Sequence, residues 1–108
     1  MASKQETVEY LLGQLRDAGE LRSLKMFGEY GIYSDEKMVA LVCDDMLFVK
    51  PTQAGRNFLD EVEEAPPYPG AKNWFLIPED NWDDEVWLSE LIRITTPEVP
   101  LPKKKKGK

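Results

Sequence analysis

The chain has 108 residues, 42% hydrophobic and 31% charged, with a formal net charge of −6. That length suits one domain with a single core, and three Trp, four Phe and four Tyr place it among globular rather than disordered chains. The lone Cys43 excludes an intrachain disulfide and a thiolate zinc site, and the lack of any histidine removes the commonest general base and metal ligand near neutral pH.

From Ser3 to Ala18, Val8, Leu11, Leu12, Leu15 and Ala18 recur at helical spacing. Ser3 offers an N-cap, Glu6 stands three residues on as in a capping box, and Gly19 is a natural stop. The period then changes. The runs SLKMFGEYGIY, KMVALVCDD and MLFVKP are rich in aromatic and aliphatic residues and are separated by Ser34–Lys37 and by Asp44–Asp45. They predict a three-stranded antiparallel meander with two hairpin turns, whose near-continuously apolar middle strand is the most buried.

Pro51 ends the meander, and Thr52 caps a second predicted helix running to about Val62, with Phe58, Leu59 and Val62 on one face. Pro66, Pro67 and Pro69 then allow at most a short edge strand around Tyr68. NWFLIP (Asn73 to Pro78) reads as a further strand. EDNWDDEVWLSELIRI gives a last helix, with Trp87, Leu88, Leu91, Ile92 and Thr95 as its core face and Asp83, Asp84 and Glu85 at its positive end. Residues 1–97 are therefore expected as one domain and 98–108 as a flexible Pro/Lys-rich tail. The fold class is α+β, an antiparallel sheet with helices on one face in the order α-β-β-β-α-β(-β)-α.

The longest apolar run, MVALVC (Met38 to Cys43), is far short of the ~20 residues of a spanning helix. The N-terminus turns acidic where a signal peptide would stay apolar, so a cytoplasmic location without membrane contact is expected. Five of the fourteen Lys+Arg stand at the end, as Lys103, Lys104, Lys105, Lys106 and Lys108. The rest of the chain carries nine basic against twenty acidic residues, and so repels a polyanion. Nucleic acid would be contacted only weakly, through that lysine tail.

Gly28 and Gly31 match neither a dinucleotide fingerprint nor a P-loop, and Glu29 would set a negative charge beside any phosphate. KMFGEYGIY echoes an RNA-binding strand but lacks the glycine directly after the basic residue. Asp80, Asp83, Asp84 and Glu85 lack EF-hand spacing. Cys43 lies in the apolar middle strand with no histidine to activate it. Catalytic, metal and cofactor residues are accordingly expected to be none. A small-ligand protein or enzyme using carboxylates, Tyr and Lys is the remaining alternative.

The run Lys25 to Pro51, KMFGEYGIYSDEKMVALVCDDMLFVKP, resembles the signature of the TfoX (Sxy) N-terminal domain family: a Met-Phe-Gly-x-Tyr-Gly-Ile/Leu-Tyr stretch, then a turn, a strand and an Asp-Asp-x-Leu-Tyr/Phe-x-Lys hairpin. The similarity spans roughly Leu11 to Ile94. It implies a fold similar to type III secretion chaperones and YjbR-like proteins. It also implies a role like that of competence regulators, which act with a catabolite activator protein at promoters. Full-length regulators carry a helical C-terminal domain as well, so a stand-alone single-domain member is implied here. Phe27, Gly28, Tyr30, Gly31, Tyr33, Asp44, Asp45 and Lys50 occupy the motif, and the resemblance transfers no catalytic residue. The expectation is a protein-interaction module whose partner belongs to the transcription machinery or its regulators. Homodimerisation is one way to cover the sheet face that helices leave free.

Overall fold

The computed structural model describes residues 4–26, 29–34, 36–59 and 61–99. Its elements are α1 (Gln5–Gln14), β1 (Leu21–Met26), β2 (Glu29–Ser34), β3 (Lys37–Cys43), β4 (Met46–Val49), α2 (Gln53–Phe58), β5 (Glu64–Ala65), β6 (Trp74–Ile77) and α3 (Glu85–Thr95), with short 3-10 turns at Arg16–Ala18, Glu79–Asn81 and Thr96–Glu98. The strands form one antiparallel sheet in the order β1-β2-β3-β4-β6-β5. Among the described residues no helix is long and apolar enough to cross a membrane.

The α+β class and one-sided helix layer are as the sequence predicts, but the first strand is in fact two. Leu21–Met26 and Glu29–Ser34 pair as a hairpin, with Met26 opposite Glu29. Both segments are apolar-aromatic, so composition alone does not separate them. Asp44 and Asp45 make the β3–β4 turn with φ of 55° and 59° between the paired Cys43 and Met46. A two-residue loop with both central residues left-handed matches the right-handed strand twist, and Asp tolerates that conformation.

Three local expectations are corrected. α1 begins at Gln5 with Lys4, which makes no side-chain cap, at the N-cap position expected for Ser3, and Ser3 itself lies outside the described residues. α2 stops at Phe58, with Leu59 extended and Val62 exposed. The edge strand is Glu64–Ala65, while Tyr68 is exposed in the loop beyond it. Other signals hold: the Gly55 N–H donates to Thr52 Oγ1 at 3.0 Å, and Gly19 leaves the first helical segment at a φ of 115°.

The main core lies between the sheet and the helices. Val8, Leu11 and Leu15 from the first helical segment and Leu88, Leu91 and Ile92 from α3 pack on Ile32, Ala40, Val42, Leu47, Phe75 and Ile77. Each such side chain contributes about 1.5–3 kcal/mol on leaving water. The Ser89 hydroxyl donates to the Gln14 carbonyl at 3.0 Å, tying α3 to the end of α1. Val99 is also buried in this core, so packing continues past the expected domain end at residue 97.

Candidate functional site

Strand alternation sends every second residue to the far side of the sheet, and there the packing forms a second cluster. Leu41, Cys43 and Phe48 are its buried members, with Met38, Ala65, Trp74 and Leu76 against them. No helix contributes to it among the described residues. This open face reads as three rows. Across its middle, strand pairing aligns Leu24, Gly31, Leu41, Phe48 and Leu76, an uninterrupted apolar line five strands wide.

A β-bulge adjusts one flank. Ile32 pairs with Ala40 but Tyr33 with Met38, so Val39 is the extra residue. Val39 and Ala40 therefore both enter the main core, and Met38 emerges on the open face beside Tyr33. In the same row the Arg22 guanidinium lies 5.0 Å from the Tyr33 ring centroid, and the Lys50 ammonium 5.0 Å from that of Trp74. Each contact contributes roughly 0.5–1 kcal/mol at exposed positions and holds a cation flat on the face. The other flanking row holds Glu29, Cys43 and Met46, with Asp44 just beyond.

Phe48 is only 1% exposed, whereas Leu24 is 48% and Met46 39% exposed. The centre of the face, Leu41, Cys43 and Phe48, is thus already withdrawn from water within the chain, and exposed apolar area lies only at its rim. Burial, assisted by the carboxylates of Glu29 and Asp44, pushes the Cys43 thiol up to about 11. A neutral thiol is a small apolar filler here and a poor nucleophile.

The structure thus divides the residues singled out in the sequence. Gly31, Tyr33 and Lys50 share the open face, while Tyr30 points the other way into the main core. Asp44 and Asp45 shape the turn, where Glu29 Oε1 accepts the Asp44 N–H at 3.2 Å. Phe27, Gly28, Lys103, Lys104, Lys105, Lys106 and Lys108 lie outside the described residues. Sequence reasoning missed Arg22, Leu24, Trp74 and Leu76 as members of this face. The alternation in NWFLIP carried a usable signal for the last two.

The acidic cluster is dispersed in structural roles. Asp84 Oδ1 accepts the Trp87 N–H at 3.1 Å as the cap of α3, and Asp83 accepts the Tyr10 hydroxyl. Among the described residues no three His, Cys, Asp or Glu are grouped to hold a metal. A shallow cleft of about 720 Å³ lies between Leu59, Val62, Ile77 and Trp87, and another of about 620 Å³ between Leu12, Arg16, Leu21 and Tyr33.

Residues 13–97 match the family described as the TfoX N-terminal domain. Over 108 residues the chain is 36% identical to an uncharacterised 12.7 kDa protein in the trpE 5′ region of Spirochaeta aurantia, covering 100% of this chain and 93% of that protein.

Proposed function

This chain belongs to the TfoX N-terminal domain family, and from that premise we propose that it is a non-enzymatic protein-interaction module in transcriptional regulation, with the open sheet face as its contact surface. The observation that carries this reading is the exposure of Leu24 and Met46, 48% and 39%, on a sheet face to which no helix contributes among the described residues. An antiparallel sheet commonly leaves one face to water, but that face is then polar. Here large apolar side chains stand exposed at its rim and cations lie on aromatic rings along one flank, and Met, Arg and aromatic residues are the types enriched at interfaces. Competence regulation is the finer role that the family resemblance favours.

Affinity capture from a competent bacterium tests this, using wild type beside Leu24→Glu. The reading expects a transcription factor or polymerase subunit with wild type and its loss with the variant. Equal capture by both, or capture of no regulatory protein, overturns it. DNA binding with a steep salt dependence that disappears on deleting residues 103–108 would favour the lysine tail as the working element instead.

A further inference from the structure

We propose that the outer edge of β1 takes up an extended acidic segment of a partner protein as a further, antiparallel strand of the sheet. The site goes beyond the sheet-face reading and does not depend on it, because the contact is made by backbone groups along the sheet's edge rather than by side chains on its face.

The β3–β4 turn fixes where the backbone groups of β1 point. Cys43 and Met46 flank a two-residue loop and so exchange both of their backbone bonds, and backbone direction then alternates along each strand. Ala40 and Val42 accordingly face β2, where Ile32 and Tyr30 meet them. Gly31 and Tyr33 face β1, where they meet Leu24 and Arg22. Leu21, Ser23 and Lys25 are left with N–H and C=O turned outward, about 6.8 Å apart, on a strand that has a neighbour on one side only. Among the described residues no hydrogen bond reaches these groups.

The two edges of the sheet differ in what they offer. β5, at the far edge, has two residues and runs into Pro66, Pro67 and Pro69, which blunt it. β1 has six residues and no proline, and every residue from Leu21 to Lys25 reaches solvent. Beside its start lies the cleft of about 620 Å³ between Leu12, Arg16, Leu21 and Tyr33, which has room for a side chain of the added strand.

Charge names the occupant. Arg22 and Lys25 stand on β1, which carries no carboxylate, and among the described residues neither has an ion pair. Arg22 rests on the Tyr33 ring, a contact that leaves its charge unneutralised. Glu20 and Glu36 line the cleft beside Arg16, so the attraction is centred on the strand and not on the cleft. A second copy paired through β1 would bring four cations and no carboxylate of that strand into the seam. An acidic strand meets both cations. Running antiparallel to β1, it sets carboxylates opposite Lys25 and Arg22 and apolar side chains opposite Leu24 and Leu21, an order that reads Glu-Val-Thr-Glu-Val from its N-terminus. Backbone bonds supply the attachment, and the side chains supply the choice of partner.

A capped peptide, acetyl-Gly-Glu-Val-Thr-Glu-Val-Gly-amide, tests the proposal against the full chain at low salt. It should bind saturably with a Kd of about 1 mM or below, and in its presence the amides of Leu21, Ser23 and Lys25 should exchange with solvent at least about tenfold more slowly. N-methylation of its Thr, whose amide faces β1, should weaken binding about tenfold or more. N-methylation of the Val opposite Leu24, whose amide faces away, should not. Ser23→Pro, which removes an outward N–H and leaves the β1–β2 ladder its bonds, should weaken binding to a similar degree. Lys25→Glu should shift preference towards the peptide with Lys in place of both Glu, and Val86→Glu on α3 should bind as wild type does. Cooperative thermal unfolding of each variant separates lost binding from lost fold. No saturable binding at about 1 mM peptide, indifference to Thr N-methylation, or protection of the three amides by self-association without peptide overturns the proposal. The peptide contains no regulatory protein, so these outcomes leave the capture test of the sheet face to stand or fall separately.

Discussion

Asp45 binds the start of the first helix from the β3–β4 turn: its Oδ1 accepts the backbone N–H of Lys4 at 2.8 Å and the hydroxyl of Thr7 at 3.0 Å. The carboxylate binds the helix start where the N-cap residue Lys4 makes no side-chain cap of its own. The Lys4 N–H is the main cause that holds the Asp45 carboxyl below its usual range; desolvation opposes it, and the Thr7 hydroxyl and the Lys4 charge add to it. A lowered folded-state value stabilises the fold above the ordinary carboxylate range, and the gain is lost as pH falls through the folded value. Asp45→Asn keeps the left-handed turn but removes the charge. It should lower the urea midpoint at pH 7, and its deficit against wild type should shrink towards pH 2. A deficit independent of pH would contradict the capping role.

Two glycines in helices should respond in opposite directions to alanine. A Cβ on Gly13 meets nothing within 4 Å, so Gly13→Ala should stabilise by about 0.5–1 kcal/mol. A Cβ on Gly55 would lie 3.0 Å from Thr52 Oγ1 and 3.2 Å from the buried Phe75 ring. Gly55→Ala should therefore destabilise by about 1–3 kcal/mol despite its better propensity. Thr52→Ala, which removes the cap of α2, should cost about 1 kcal/mol. Equilibrium urea denaturation with unchanged m-values checks all three.

Cys43 should be slow to alkylate in the folded protein. A thiol raised to about 11 is roughly 0.1% ionised at pH 8, against roughly a tenth for an ordinary thiol at 9.0, and it is buried besides. Iodoacetamide should react at least about a hundredfold faster in denaturant than without it. The sign of the linkage is fixed too. The folded chain keeps this proton after the unfolded chain has lost it, so stability should fall as pH rises from 9.0 towards about 11. Equal alkylation rates would contradict the burial of this residue.

Much of the fold was legible in local chemistry. The Thr52 cap, the Asp44–Asp45 turn, the Gly19 stop and the spacing Leu88-Leu91-Ile92 each act within a few residues. What escaped depends on distant partners. The hairpin of β1 and β2 is decided by pairing rather than propensity, since both arms are strand-like. The early end of α2 and the place of β5 reflect the Leu76 N–H, which donates to the Glu63 carbonyl at 2.8 Å. The open face was least legible, because Leu24, Leu41, Phe48 and Leu76 come from four different strands. Only register shows that they form one row.

The claim that the open sheet face is the contact surface is tested most directly by measuring affinity for a captured regulatory partner across a panel of exposed-residue variants. Leu24→Glu and Met46→Glu, on the open face, should each weaken binding by about tenfold or more, while Val86→Glu, 71% exposed on the helix side, should leave it unchanged. Binding that survives both face variants and fails with Val86→Glu would place the contact on the helices and contradict the account.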